Sequence, residues 1–200
     1  MSTDYFAHKA GSYEQNPSRV DNVERIATSM REAIRFDTSM HVMDFGSGTG
    51  LLLERIAPQV GRMTAVDVSS SMNAELRAKT GHLGCPVEIV EVDLEARDLE
   101  ETFDGIISSM TLHHIRDVAA MFGKFRAMLK DGGFIAIADL DLEDGSFHGE
   151  DTGVHHPGFD RAEIAASAAR AGFREVAVSS ASVVSKPQGD FPVFLLTARR

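Results

Sequence analysis

Short apolar runs alternate with amphipathic segments along most of the chain. The apolar runs predict five strands, at residues 41–45, 62–68, 87–92, 103–109 and 134–140. Apolar residues at helical spacing lie between them, as in the segment 118–129. This alternation predicts an α/β fold in which helices cover both faces of a mostly parallel sheet. Ligands of such sheets bind beyond the carboxyl ends of the strands.

Local signals mark where several helices begin. Asn16 followed by Pro17 has the pattern of a helix cap and a first helical residue. Asp117 precedes another amphipathic segment and can cap it. Asp160 and Glu163 have the spacing of a capping box. These signals support the helical assignments that the periodicity indicates.

A hairpin is predicted near the C-terminal end, from strands at about 174–184 and 191–198. It would add antiparallel pairing at one edge of the sheet. The length indicates a single domain over residues 1–200. We divide it into an N-terminal cap and helix, a cofactor-binding core, an acceptor-side loop, and a final helix with the hairpin, at 1–35, 40–140, 141–159 and 160–200.

The segment MDFGSGTGLLLER, residues 43–55, places three glycines at alternate positions after a predicted strand. Glycines allow a backbone to approach a ligand closely. A dinucleotide fingerprint, G-x-G-x-x-G, needs its third glycine where Leu51 stands, and it places a pyrophosphate at the helix N-terminus. The G-x-G-x-G spacing therefore favours S-adenosylmethionine, which has no phosphate, over a nicotinamide cofactor. A tight turn without a ligand is the alternative.

Two acidic residues end the next predicted strands. The carboxylate of Asp67 could accept hydrogen bonds from both hydroxyls of a ribose. Asp93 could accept a hydrogen bond from an adenine amino group, with Leu94 flanking the ring. Both positions support a nucleoside without choosing between the two cofactors. Capping or surface roles are the alternatives.

Charge and composition narrow the class of protein further. The 200 residues carry a net charge of −10 and no cluster of Lys and Arg, which disfavours a nucleic-acid partner. We see no signal peptide and no apolar window near the roughly 18 residues of a membrane span. The single cysteine cannot form an internal disulfide. We expect a cytoplasmic protein without a membrane span, and no pattern indicates its oligomeric state.

Five blocks occur in order: VMDFGSGTG, AVDVSSSM, EVDLE, FDGIISSMTLHHI and LKDGGFIAIAD. Together they resemble the Rossmann-like (class I) S-adenosylmethionine-dependent methyltransferases, and are most similar to the ubiquinone- and menaquinone-biosynthesis C-methyltransferase type. The resemblance covers about residues 40–140 well. It implies a three-layer sandwich whose seven-stranded, mostly parallel sheet has an antiparallel last strand. It also implies methyl transfer from S-adenosylmethionine, with S-adenosylhomocysteine as product.

The resemblance implies cofactor contacts as well. Near the methionine moiety would lie Asp44, Gly46, Ser47, Gly48 and Gly50. Near the ribose and adenine would lie Asp67, Val68, Asp93 and Leu94. Beside the sulfonium would lie Ser109 and Met110. Because the N-terminal segment of this subgroup often folds over the cofactor, three aromatic residues are candidate lid residues, with packing of the first helix as the alternative: Tyr5, Phe6 and Tyr13.

Histidines are the candidate catalysts. His113 and His114 follow the fourth strand, beside the expected methyl group, and an ordinary pKa near 6.5 suits a general base. A structural role is the alternative for both. The loop 141–159 holds three more histidines that could contact an acceptor: His148, His155 and His156. Their spacing fits no strong zinc pattern, so we expect no metal.

We therefore expect a methyltransferase that transfers a methyl group to a small-molecule acceptor by in-line displacement. The methyl donor is already activated, so positioning supplies much of the catalysis, and a base is needed only for a protonated nucleophile. The alternatives are a nucleotide-dependent oxidoreductase, a non-catalytic S-adenosylmethionine-binding or regulatory protein, and a methyltransferase acting on protein or RNA.

Overall fold

A computed structural model describes residues 4, 5, 7–148 and 153–200, and within them it contains seven strands and five α-helices. The strands are β1 (His41–Phe45), β2 (Arg62–Asp67), β3 (Val87–Glu91), β4 (Phe103–Ser109), β5 (Leu129–Leu140), β6 (Arg174–Lys186) and β7 (Gly189–Arg199). The helices are α1 (Pro17–Ala33), α2 (Leu51–Ile56), α3 (Ser70–Lys79), α4 (Val118–Met128) and α5 (Arg161–Arg170). Short 3₁₀ turns cover Ala10–Gln15, Ala57–Gln59, Thr80–His82 and Leu112–His114.

The strands form one sheet in the order β3-β2-β1-β4-β5-β7-β6. Neighbouring strands from β3 to β5 pair in parallel, whereas β7 is antiparallel to both β5 and β6. The predicted Rossmann-like sheet with an antiparallel last strand is thus confirmed. The order reverses between β1 and β4, so their carboxyl ends border the crevice where such folds bind ligands.

Side-chain caps begin the helices where the sequence predicts them. The Asn16 side chain accepts a hydrogen bond from the Ser18 N–H at 3.0 Å, and Asp117 accepts from the Ala120 N–H at 2.9 Å. Asp160 accepts from two N–H groups in the first turn of α5, at 2.8 and 3.0 Å. Such caps each stabilise a helix by about 1 kcal/mol, which explains why these polar residues set the boundaries.

Apolar side chains cover both faces of the sheet and create three layers. On one face, α1, α2 and α3 contribute Ile26, Met30, Leu53, Ile56 and Leu76. On the other face, α4 and α5 contribute Phe122, Phe125, Ile164 and Ala168. None of the helices in the described part of the chain is long and apolar enough to cross a membrane.

The fifth strand begins earlier than the sequence predicts. We expect α4 to continue to the glycine pair at 132 and 133, but it ends at Met128 because Leu129 already pairs with Phe103 of β4. The register then shifts before Phe134 pairs with Gly105. Gly132, with a φ of +76°, lies in this irregular stretch rather than ending the helix.

Candidate functional site

The loop between β1 and α2 uses its glycines in two different ways. Gly46, Gly48 and Gly50 all have left-handed φ values, of +69°, +53° and +90°. A Cβ at Gly46 would lie 2.2 Å from the Thr111 side chain, so packing requires glycine there. A Cβ at Gly48 would meet nothing within 4 Å. Gly48 therefore leaves open space beside a backbone that a ligand can approach.

A cavity of about 540 Å³ lies beyond the ends of β1 and β4. Its volume is within the range of small-molecule sites. The predicted site residues that line it are Tyr13, Asp44, Gly46, Ser47, Gly48, Ser109, Met110, His113, His114 and His148. The structure thus brings together residues from both crevice strands, the N-terminal segment and the acceptor-side loop.

Several buried polar atoms around this cavity have no hydrogen-bond partner among the described residues. They are Asp44 Oδ2, Ser47 Oγ, Thr49 Oγ1 and Ser109 Oγ. Buried polar groups are normally paired, so such a cluster is typical of a site that completes its hydrogen bonds with a ligand. Burial, together with the nearby charge of Asp67, raises the pKa of Asp44 to about 8. A cationic ligand group would favour its ionised form.

Asp67 stabilises the conformation of the glycine loop through a hydrogen bond. Its carboxylate accepts hydrogen bonds from the N–H groups of Gly48 and Ser69, each at 2.8 Å. Burial raises the pKa of Asp67, against the effect of these two hydrogen bonds. Its carboxylate already fixes the loop conformation, and its predicted contact with a ribose stays a prediction.

The residues predicted around adenine do not line the cavity. Val68 is 54% exposed at the end of β2. Asp93 is exposed, and its side chain accepts a hydrogen bond from the Glu95 N–H at 2.8 Å, which forms a local turn. Leu94 is buried among the side chains on the α4 face of the sheet. Their contacts with a nucleoside therefore stay predictions.

Met110 has a backbone conformation that the sequence did not indicate. Its φ is +57°, which side chains other than glycine rarely adopt, and its N–H donates to the Ala138 carbonyl at 2.9 Å. Such strain is typical of functional sites. It places residues 109 and 110 on the cavity wall at the end of β4.

His113 forms a buried pair with Asp139, at the end of β5. The His113 Nδ1 lies 2.6 Å from Asp139 Oδ1, and the His113 N–H donates to Asp139 Oδ2 at 3.1 Å. Burial raises the pKa of Asp139, but His113 and backbone N–H groups more than offset this and hold it below its usual value. The acid is ionised, so we assign the shared proton to His113 Nδ1. Sequence reasoning missed this partner.

The other histidines have different surroundings. Burial, followed by the neighbouring His113, lowers the pKa values of His114 and His148 to about 4, so both are neutral at pH 7. His155 and His156 do not line the cavity, and their N–H groups donate to the His113 carbonyl. Across residues 4, 5, 7–148 and 153–200, no three metal-ligating side chains group together as a metal site.

The N-terminal segment reaches the cavity at Tyr13 and contacts the start of α3 through Asp4. Tyr13 lines the cavity, and burial raises the pKa of its phenol. The Asp4 carboxylate accepts hydrogen bonds from the hydroxyls of Ser69 and Ser71, at 2.9 and 2.8 Å. Tyr5 is 43% exposed and outside the lining, and Phe6 lies outside the described residues. The lid role stays a prediction, and the position of Tyr13 in the cavity wall favours it for that residue.

Further lining residues were missed because no local motif marks them as ligand-binding residues: Lys9, Asn16, Arg19, Asn22, Phe147 and Lys186. They come from the N-terminal segment, α1, the loop after β5 and the end of β6. Only the tertiary structure brings them together, so neither their residue types nor their spacing in the sequence indicated that they share a site.

Comparison with known proteins finds similarity to methyltransferases. Residues 42–133 match the family described as a methyltransferase domain. A methyltransferase of Schizosaccharomyces pombe is 29% identical, with 76% of this chain and 58% of that protein covered. The ubiquinone biosynthesis O-methyltransferase of a Bradyrhizobium strain is 30% identical, with 55% of this chain and 44% of that protein covered. The chain spans about half the length of these curated relatives.

Solved structures share the fold. A Haloferax volcanii methyltransferase, in complex with the Trm112 methyltransferase activator, has a TM-score of 0.80 and 18% identity, covering 100% of this chain and 99% of its own. DhpI, in complex with S-adenosylhomocysteine, has a TM-score of 0.75 and 22% identity, covering 98% of this chain and 93% of its own. The methyltransferase resemblance recognised from the sequence is thus confirmed, with the family match over residues 42–133. The fold is the one that these solved methyltransferase structures share.

Proposed function

We propose that this chain is an S-adenosylmethionine-dependent methyltransferase that acts on a small-molecule acceptor. The observation that carries the proposal is one cavity lined both by the glycine loop and by His113, which Asp139 holds from behind the cavity wall. Its volume of about 540 Å³ suits a small ligand beside a cofactor.

The residues of the glycine loop fit the proposed cofactor. Its methionine portion carries an ammonium group and a carboxylate, which can pair with the unpartnered atoms of Asp44, Ser47 and Thr49. The open space at Gly48 accepts a ligand against the backbone. Ser109 and Met110 would border the sulfonium. These assignments are consistent with the sequence motif that first suggested them.

The chain's own residues position the acceptor and hold its proton. When bound, S-adenosylmethionine supplies an electrophilic methyl group. The cavity walls align a nucleophile with that group for in-line displacement, which is worth several kcal/mol of the barrier. We assign His113 as the general base, because Asp139 accepts a hydrogen bond from the protonated Nδ1 and thereby leaves Nε2 to accept a proton from the acceptor. The centre of the His114 ring lies 4.3 Å from that of His113, and with a pKa of about 4 His114 stays neutral.

A macromolecular acceptor is the second candidate. The Haloferax volcanii protein of the same fold assembles with an activator, and an activator can bring a larger substrate to such a cavity. The net charge of −10 argues against RNA, because phosphates require neutralisation by cations.

One labelling experiment tests these alternatives together. The purified protein is incubated with radiolabelled S-adenosylmethionine and a cell extract, which is then separated into small molecules, protein and RNA. We expect label among the small molecules, and His113→Gln serves as the matched variant that reduces it. Label confined to protein or RNA would reject the small-molecule acceptor. Binding of the cofactor with no labelled fraction would support a non-catalytic role.

A further inference from the structure

Cationic side chains gather around the cavity although the whole chain is acidic. Lys9, Arg19 and Lys186 line it, and Asp44 is the one carboxylic acid among its described lining residues. Even when a cationic ligand group ionises Asp44, three cationic side chains outnumber this one acid. The cavity is therefore positively charged in a protein whose net charge is −10. Such local reversal of charge is typical of a site for an anion.

Lys186 is held in place without a carboxylate partner in the described part of the chain. Its Nζ donates to the Phe147 carbonyl and lies 3.5 Å from the centre of the Phe147 ring. Burial, followed by the charges of Arg19 and Lys9, lowers the pKa of Lys186, whereas Glu143 raises it. The pKa of Lys186 is lowered overall, so burial and the two positive neighbours outweigh the effect of Glu143. A bound anion would relieve this repulsion.

Arg19 is in a similar position on α1. Its guanidinium lies 4.4 Å from the centre of the Tyr13 ring, and it donates to the Tyr13 carbonyl at 3.4 Å. Among the described residues, no carboxylate forms an ion pair with it. Glu143, the acid that raises the pKa of Lys186, uses its carboxylate to accept a hydrogen bond from the Phe147 N–H at 3.0 Å. Both cations therefore keep hydrogen-bonding capacity for a ligand.

Aromatic contacts connect Lys186 to the proposed base. The Phe147 ring beneath Lys186 contacts His148, with ring centres 4.8 Å apart. His148 in turn contacts His113, with ring centres 5.0 Å apart. A ligand anchored at Lys186 can thus extend along two flat side chains toward His113. The glycine loop forms a different part of the cavity wall.

We propose that Lys186 and Arg19 form a subsite for an oxyanion of the methyl acceptor, a carboxylate or a phosphoryl group, whose remaining part extends along Phe147 and His148 toward His113. This inference rests on the proposed small-molecule function. Lysine supplies a point charge and arginine a planar fork, and both suit these two oxyanions. The acceptor class is accordingly a small organic anion.

Calorimetry on the full chain saturated with S-adenosylhomocysteine tests the subsite. Phenylphosphonate and benzoate are the anionic probes, and benzyl alcohol is the uncharged one. We expect at least one anion to bind at least about tenfold more tightly than the alcohol. The better anion identifies which oxyanion the subsite prefers. Lys186→Met should remove this advantage, and Lys186→Arg should retain most of it.

The matched control is Lys130→Met, which removes the same charge from a lysine paired with Asp104 at 2.8 Å. It should leave probe binding unchanged, and thermal unfolding should show that each variant is folded. Equal binding of alcohol and both anions would overturn the subsite. The subsite would also be overturned if Lys186→Met weakened the binding of S-adenosylhomocysteine as much as it weakened the binding of the anions. The cations would then serve the cofactor's own carboxylate. Either result leaves the labelling experiment, and thus the proposed function, unaffected.

Discussion

Replacing Asp44 by asparagine tests the electrostatic account of the glycine loop. This carboxyl is 1% exposed, and burial with the nearby Asp67 raises its pKa from 3.8 to about 8. In the unfolded chain it ionises near the lower value. Between the two values the folded state therefore binds more protons than the unfolded state. The free energy of unfolding must fall as the pH rises through this window.

The size of the effect follows from the shift. Each pKa unit corresponds to about 1.4 kcal/mol, so from pH 5 to pH 8 Asp44 lowers the free energy of unfolding by roughly 3–4 kcal/mol. The Asp44→Asn variant should lack this loss. Asp67, whose pKa is also raised, contributes in both proteins, so the difference between the two pH profiles isolates Asp44. Any pH-independent cost of the amide cancels in the same comparison.

Urea unfolding of both proteins between about pH 5 and pH 8 measures this difference. We expect the variant to gain stability relative to the parent as the pH rises. The same variant should bind S-adenosylhomocysteine at least about tenfold more weakly, because a charge-assisted hydrogen bond is lost. Parallel pH profiles for the two proteins would refute the raised pKa, and unchanged affinity would refute the ligand role of Asp44.

Three further predictions concern the same site. His113→Gln and Asp139→Asn should each lower kcat about 100-fold or more on a protonated acceptor, with unchanged affinity for S-adenosylhomocysteine; full activity in either variant would remove the assigned base. Gly48→Ala should weaken S-adenosylhomocysteine binding in calorimetry and lower Tm only through the backbone strain of its left-handed φ, whereas Gly46→Ala should lower Tm further because its Cβ would also lie 2.2 Å from Thr111; a larger loss of Tm in Gly48→Ala would contradict the two roles. Asp67→Ala should reduce affinity for S-adenosylhomocysteine at least about tenfold, since it removes the support of the loop and the predicted ribose contact; normal affinity would show that neither matters for binding.

Local signals predicted the framework of the fold well. The caps at Asn16, Asp117 and Asp160 are local hydrogen bonds within the first helical turn, so neighbouring residues determine them. The glycine loop was recognisable because its unusual backbone requires glycine at fixed spacing. The start of β5 was mispredicted because pairing of Leu129 with Phe103, across the sheet, overrides the local preference for a longer helix.

The chemistry of the site depends on contacts that no local pattern encodes. His113 and Asp139 meet because β4 and β5 are parallel neighbours whose carboxyl ends lie together. Lys186 and Arg19 come from opposite ends of the chain and join only when α1 packs beside β6. Identifying residue types at strand ends was therefore sufficient to predict a site, but not its charge.

The most direct test of the central claim is a calorimetric titration of the full chain with S-adenosylhomocysteine and, separately, with NADH. We expect one S-adenosylhomocysteine to bind per chain, with affinity weakened by Asp44→Asn, and no heat of binding from NADH. Binding of NADH without binding of S-adenosylhomocysteine would contradict the account, because the glycine loop would then serve a dinucleotide.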